Sequence, residues 1–326
     1  MSIPASLSKE NLEKDAISLK VYQAQDKVAW NNFVTNSKNG TFLFYRNYME
    51  YHSDRFNDNS LLFFRKGQLA GLLPANLKDA VLFSHEGLTF GGVISSYNSK
   101  TSVMLQIFDA LINYCRNQEI KTIVYKAIPY IYHSVPANED LYALFRCNAK
   151  LIARNASSCI CLPNNREFSE SRKCNIRKAK KNNMVVKQST DLDSFMQIVQ
   201  EALSERHSTK PVHTVEEIKL LANRFPDNIK LFTSYKDDRM LAGVIIYESK
   251  NVAHEQYAAN SKEGWSIGAQ DLIEDYLINS YYKAKRYYDF GISTENQGQV
   301  LNFGLIARKE AFGANSVMYD IYQLEI

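Results

Sequence analysis

The chain has 326 residues, of which 45% are hydrophobic and 23% charged, so it is long enough for two cores and too apolar for a disordered chain. Its net charge of +4 suits an anionic ligand and falls short of the strongly basic balance of a dedicated nucleic-acid binder. The five cysteines, Cys115, Cys147, Cys159, Cys161 and Cys174, form no Cys-x-x-Cys pair, and the six histidines show no paired ligand spacing, which argues against a disulfide framework and a zinc or other metal site.

Met1 to Lys20 mixes charged and isolated apolar residues without the apolar core of a signal peptide, and no apolar run approaches the roughly 20 residues that cross a bilayer. A cytoplasmic protein without a transmembrane segment is expected. Leu61 to Phe64 and Leu69 to Leu73 flank Lys66-Gly67-Gln68 and predict a hairpin. Val81 to Ser84 predicts a third strand. Val103, Met104, Ile107, Phe108, Leu111, Ile112 and Cys115 recur at helical spacing, and Thr122 to Lys126 follows as a β-branched strand. The second half repeats this order. Lys230 to Tyr235, a turn at Lys236-Asp237-Asp238, Met240 to Tyr247, Val252 to Ala258, a helix from about Ile267 to Lys283 and a strand Tyr287 to Phe290 succeed one another. Leu69-Ala70-Gly71 matches Leu241-Ala242-Gly243, His85-Glu86 matches His254-Glu255, and Leu111-Ile112-Asn113 matches Leu277-Ile278-Asn279, in the same order and at nearly constant offsets. That pattern points to a duplicated α/β unit. Domain boundaries are expected at residues 1–164 and 188–326, joined by a basic linking helix over 165–187. The basic run, with Arg172, Lys173, Arg177, Lys180 and Lys181 close together on a helix, suits either a solvated surface or a phosphate-facing wall.

The run Tyr287-Tyr288-Asp289-Phe290-Gly291-Ile292-Ser293, then Asn302-Phe303-Gly304-Leu305-Ile306 and Lys309-Glu310-Ala311-Phe312-Gly313-Ala314, resembles the closing strand, loop, helix and strand of the FemAB-like branch of the GNAT acyltransferases. Asn175-Ile176-Arg177-Lys178-Ala179-Lys180-Lys181-Asn182 resembles that group's segment before the second domain. The resemblance implies two tandem GNAT-like domains, each a mixed, mostly antiparallel twisted sheet flanked by helices. It also implies an N-acyltransferase moving an acyl group from acyl-CoA, such as acetyl-CoA, to the amine of an amino-sugar nucleotide or similar polysaccharide precursor. Relatives of the Fem type take aminoacyl-tRNA and act on peptidoglycan precursors. Because this sequence carries no long charged heptad segment of the kind that engages tRNA there, acyl-CoA is the expected donor and tRNA the alternative. A non-catalytic glycan-binding module is the alternative from a different class.

Amine acylation needs a donor cradle, a route for the amine proton and donors for the oxyanion. Gly264-Trp265-Ser266-Ile267-Gly268-Ala269-Gln270 precedes an amphipathic helix, and its amides are expected to face the donor's phosphates, with Lys309 as a further contact; a tight turn into the helix is the alternative. On the preceding strand, alternation puts His254 and Gln256 on one face and Glu255 and Tyr257 on the other. His254, Glu255, Tyr257 and Asp289 are the candidate catalytic residues. Ser293, Glu295 and Asn296 form the polar loop after Asp289. His85, Glu86, Thr89 and Lys126 are expected at the acceptor, as are Glu205, Arg206 and His207, with Ser293 and Glu295 beside the reacting centre.

Overall fold

The computed structural model describes residues 16–164, 167–207 and 211–326. The chain divides into two compact units, residues 1–154 with Tyr319–Ile326, and Asn155–Met318. These differ from the boundaries expected at 164 and 187. The chain's final strand is hydrogen-bonded far from its sequence neighbours, Ile321–Glu325 against Thr122–Lys126, and ladder pairing outweighs chain proximity. No helix among the described residues is long and apolar enough to cross a membrane.

In the first unit, Leu61–Arg65 and Gln68–Leu73 form the expected hairpin, flanked by Ile17–Val21 and Ile94–Ser95 in an antiparallel four-stranded sheet. A further group pairs Asn76–Lys78, Val81–Phe83, Thr122–Lys126 and the terminal strand, with Val81–Phe83 parallel to Thr122–Lys126. The helix Thr101–Asn117 buries Val103, Met104, Ile107, Phe108, Leu111 and Cys115, the stripe that its 3.6-residue period requires.

In the second unit, six strands lie in the order Ser157–Cys161, Tyr287–Ile292, Val252–Asn260, Arg239–Glu248, Ile229–Lys236 and Val185–Ser189. The helices Glu170–Lys181 and Ala269–Tyr276 share a core with this sheet, built from Ile176, Ala179, Val244, Ile246, Ala253, Ile273, Tyr288 and Phe312. The segment expected as a linking helix is therefore part of this core, since Ile176 and Ala179 fall on one face of it. The helix expected over 267–283 is broken at Gly268, which adopts φ +80°, and closes in a π turn at Leu277–Tyr281.

Of the three sequence matches, the first pair lies in equivalent hairpin strands. His85 and His254 do not correspond in conformation: His85 sits in a loop at φ +66°, whereas His254 is in a strand.

Candidate functional site

Val252–Asn260 and Tyr287–Ile292 run parallel, and their ladder consists of three pairs, ending at His254 opposite Asp289. Neighbouring residues of a ladder face the same side, so the last pair sets a histidine beside a carboxylate. Asp289 is fully buried; its Oδ2 lies 2.9 Å from His254 Nδ1, and its Oδ1 accepts from Ser157 Oγ at 2.6 Å and from the Gly291 N–H at 3.0 Å. The carboxylate is thus held by three partners and fixes the ring. With Nδ1 directed at Asp289, Nε2 is the nitrogen left to take a proton, and the His254 side chain keeps 11% exposure.

The strand Val252–Asn260 carries a bulge. Ile246 pairs with Glu255 and Ile245 with Tyr257, so Gln256 is an extra residue. That insertion reverses the alternation predicted from sequence. Glu255, opposite the core residue Ile246, stays on the side of the helix Ala269–Tyr276, while Tyr257 moves to the face of His254. Ala258, packed on that helix-side core, and Asn260, hydrogen-bonded to Gln270 of the helix, continue the shifted pattern.

Beyond the last ladder pair, the buried Lys309 ammonium donates to the carbonyls of Gly291 (2.8 Å) and Ile292 (2.9 Å). Burial lowers its pKa to about 8, opposed by the Glu255 and Asp289 carboxylates. The unfolded chain therefore holds a proton on this lysine that the folded chain has lost between about pH 8 and 10. Stability contributed at this position should rise with pH across that window. In chemical denaturation series, the difference between wild type and Lys309→Met should change by about 1–3 kcal/mol from pH 8 to 10; a difference that does not move with pH would contradict this.

On the helix side, Glu274 is fully buried, accepts from Tyr288 Oη at 2.7 Å and from Gln270 Nε2 at 3.3 Å, and lies 3.8 Å from Arg308. Burial, and then the Glu255 carboxylate, raise its pKa well above the usual range. Above this network open two clefts of about 240 and 310 Å³ that share Asn260, Trp265, Gln270 and Arg308. A larger groove of about 870 Å³ shares Asn260 and Trp265 with both. Trp265, 56% exposed, stands where all three meet.

Several expected contacts are already engaged within the protein. Ser261 Oγ caps the short helix Lys262–Ile267 by accepting from the Gly264 N–H, and Asn260 Oδ1 accepts from the Gln270 N–H at 3.2 Å. A Cβ at Gly264 would lie 2.4 Å from the Leu241 carbonyl oxygen, and one at Gly268 2.5 Å from that of Asn175. Both glycines are therefore needed for backbone packing. Ile267 and Ala269 are core residues; Trp265, Ser266, Gly268 and Gln270 line the clefts. Lys309, expected at a donor phosphate, is instead turned inward onto the two carbonyls. The basic helix is largely paired: Arg172 donates to Asp271, Lys178 to the Ser266 carbonyl, Lys180 to Asp275, and Lys173 to Glu167 and Glu170. Ser293 is buried, and exposed Glu295 accepts from Asn302.

In the first unit, the residues expected at an acceptor mostly hold their own loop. Lys126 donates to the carbonyls of His85 (3.3 Å), Glu86 (2.9 Å) and Leu88 (2.9 Å), and burial lowers its pKa to about 8. His85 is buried and stacks on His52 at 5.1 Å; Glu86 is paired with Asn76 through its side chain and its N–H. Thr89 is exposed on the same loop. Glu205, Arg206 and His207 end the helix Leu192–His207, and their side chains lie outside the described residues. Ser157, Asn260, His213 and Arg308 belong to the site without having been singled out in the sequence. Ser157 stands 132 residues from the carboxylate it meets, and no local spacing connects the two.

The acetyltransferase (GNAT) domain family model matches residues 170–297, which contain the helix-flanked strands, His254 and Asp289. No curated protein sequence matches the chain. Among solved structures, FemX is 12% identical with a TM-score of 0.69, covering 95% of this chain and 97% of its own. L-PGS from Bacillus licheniformis is 10% identical with a TM-score of 0.61, covering 92% and 91%. A tandem GNAT protein from the clavulanic acid biosynthesis pathway is 11% identical with a TM-score of 0.54, covering 95% and 98%. Residues 170–297 thus match the acetyltransferase (GNAT) domain, and the chain shares its fold with FemX and with the tandem GNAT protein.

Proposed function

We propose that this chain acylates a primary amine of a cell-envelope precursor, with an aminoacyl ester as donor and His254, held by Asp289, as the proton acceptor. The observation that carries the reading is the buried Asp289–His254 pair at the end of the parallel ladder. An amine attacks an acyl carbon only as it loses a proton, and a histidine held by a carboxylate is placed to receive one. The aminoacyl donor is favoured over acyl-CoA because side chains and close packing already use the amides and glycines that a pyrophosphate cradle would need. That donor is the alternative that the resemblance to the Fem type left open.

Acyl-CoA is the second reading, favoured by the clefts in which Arg172 and Arg308 stand beside the start of the helix Ala269–Tyr276. Transfer to an amine-bearing envelope precursor should be followed with matched donors, an aminoacyl-tRNA and an acyl-CoA. Turnover with the tRNA ester alone is expected. Turnover with the coenzyme alone would replace the first reading by the second, and turnover with neither would refute both.

A further inference from the structure

One cleft of the second unit is built around a single charge. The space of about 310 Å³ is walled by Ala202, Ala258, Ala259, Gly304 and Leu305, and among the described residues Arg308 is the one charged side chain that lines it. The amide side chains there are bonded within the protein. Asn260 Nδ2 donates to Gln270 Oε1 at 2.7 Å, Gln270 Nε2 to Glu274 at 3.3 Å, and Asn302 Nδ2 to Glu295 at 3.2 Å. Arg308 is held differently. Its side chain keeps 16% exposure, its buried Nη2 has no hydrogen-bond partner, and the Glu274 carboxyl lies 3.8 Å away, beyond hydrogen-bond reach. Burial and Glu255 push that carboxyl toward its protonated form, so it offsets less of the guanidinium's charge. In the adjoining cleft of about 240 Å³ the other cation, Arg172, is by contrast bonded to both oxygens of Asp271, at 2.9 and 3.2 Å.

A guanidinium set among methyl walls gains more from an anionic partner than one in open water. Its planar fork matches the two oxygens of a carboxylate. A phosphate calls for further donors, yet the Gln270 N–H at the start of the nearby helix is taken by Asn260 Oδ1, and the walls present alkyl groups. The volume stands at the lower end for small-molecule pockets, roughly 300 Å³, and so suits a small group. The position also fits the chemistry. Ala258 and Ala259 lie on the strand of His254, roughly 10–15 Å along it. Arg308 directly precedes Lys309, whose ammonium grips the carbonyls just beyond Asp289.

We propose that the acyl group this chain transfers bears a carboxylate, which Arg308 binds in this cleft, so that an aminoacyl donor carries aspartate or glutamate. The aminoacyl form of the group rests on the ester reading above. The amine nitrogen bonds to the acyl carbon, and the C–O bond to the ribose breaks. The proton that the amine loses to His254 returns through water to the departing oxygen. The side-chain carboxylate takes no part in these steps and enters the product unchanged. An acceptor ammonium is thereby replaced by a group with its own ammonium and a carboxylate, and the acceptor becomes one unit more negative. A lysyl group would set its ammonium against the guanidinium and is excluded by that repulsion.

The test uses donor analogues that bind without reacting, 3′-amino-3′-deoxyadenosine acylated with aspartate, asparagine, alanine or lysine, titrated by calorimetry. Wild type should hold the aspartyl amide roughly 30-fold or more tighter than its isostere, the asparaginyl amide, and the lysyl amide weakest of all. Arg308→Gln should bring the aspartyl amide down to the asparaginyl level while leaving the asparaginyl affinity in place, which also shows that the variant is folded. Arg308→Lys should recover part of the preference. Equal affinity of wild type for the aspartyl and asparaginyl amides would overturn the carboxylate and leave the ester reading intact. So would inorganic phosphate that competes with every amide alike and loses its hold in Arg308→Gln, because the arginine would then serve a donor phosphate. If no adenosine amide binds but succinyl-CoA binds more tightly than acetyl-CoA, the ester reading falls and the carboxylate stands. Binding of neither set would overturn both.

Discussion

Replacing His254 by Gln should lower kcat/KM for acyl transfer by roughly 10²–10⁴-fold, the range expected when a positioned proton acceptor is lost. The melting temperature should move little, because His254 is not wholly buried and glutamine can still donate to Asp289 Oδ2. Asp289→Asn should give a comparable loss by another route. Its amide no longer holds the ring in the Nδ1–H form, and Ser157 and the Gly291 N–H then compete to orient the one remaining carbonyl. Because the two residues act as one unit, the double variant should be scarcely worse than either single one, and additive losses would show that they act separately. Steady-state rates for the four proteins decide the matter.

Gly268→Val should destabilise the second unit by about 3 kcal/mol and lower its melting temperature by roughly 6–12 °C, before any effect on ligand binding arises. Two costs combine here. A side chain at φ +80° is strained, and its Cβ would meet the Asn175 carbonyl oxygen at 2.5 Å, a backbone atom that cannot turn away. Gly268→Asn separates them, since asparagine tolerates the left-handed conformation but carries the same Cβ. It should recover only part of the loss. Thermal melts without ligand measure this directly; a stable, fully folded Gly268→Val protein would instead return the glycine to a ligand-contacting role.

Most of the architecture was legible from period and turn chemistry. The hairpins at Lys66-Gly67 and Asp237-Asp238, the helix Thr101–Asn117 and the strands Thr122–Lys126 and Tyr287–Ile292 lie close to where apolar spacing predicts them. The second-half candidates His254, Glu255, Tyr257 and Asp289 do gather around one parallel strand pair, because strand neighbours in a ladder are fixed by the fold. Their facing was misjudged. A bulge changes parity without changing composition, and nothing in His254-Glu255-Gln256-Tyr257 marks the extra residue. The lysines were misjudged for a related reason: Lys126 and Lys309 read as ligand contacts, but each closes on backbone carbonyls that only the folded chain brings together. Ser157 and His213 escaped notice because their partners, Asp289 and Tyr257, are distant in sequence.

The most direct test of the central claim is mass spectrometry of the acceptor after incubation with aminoacyl-tRNA and the purified protein, with His254→Gln alongside. The account predicts an acceptor heavier by one aminoacyl residue, joined as an amide stable to mild base, and its near absence with the variant. Equal product from both proteins would contradict the role given to His254, and an unmodified acceptor with wild type would contradict aminoacyl transfer itself.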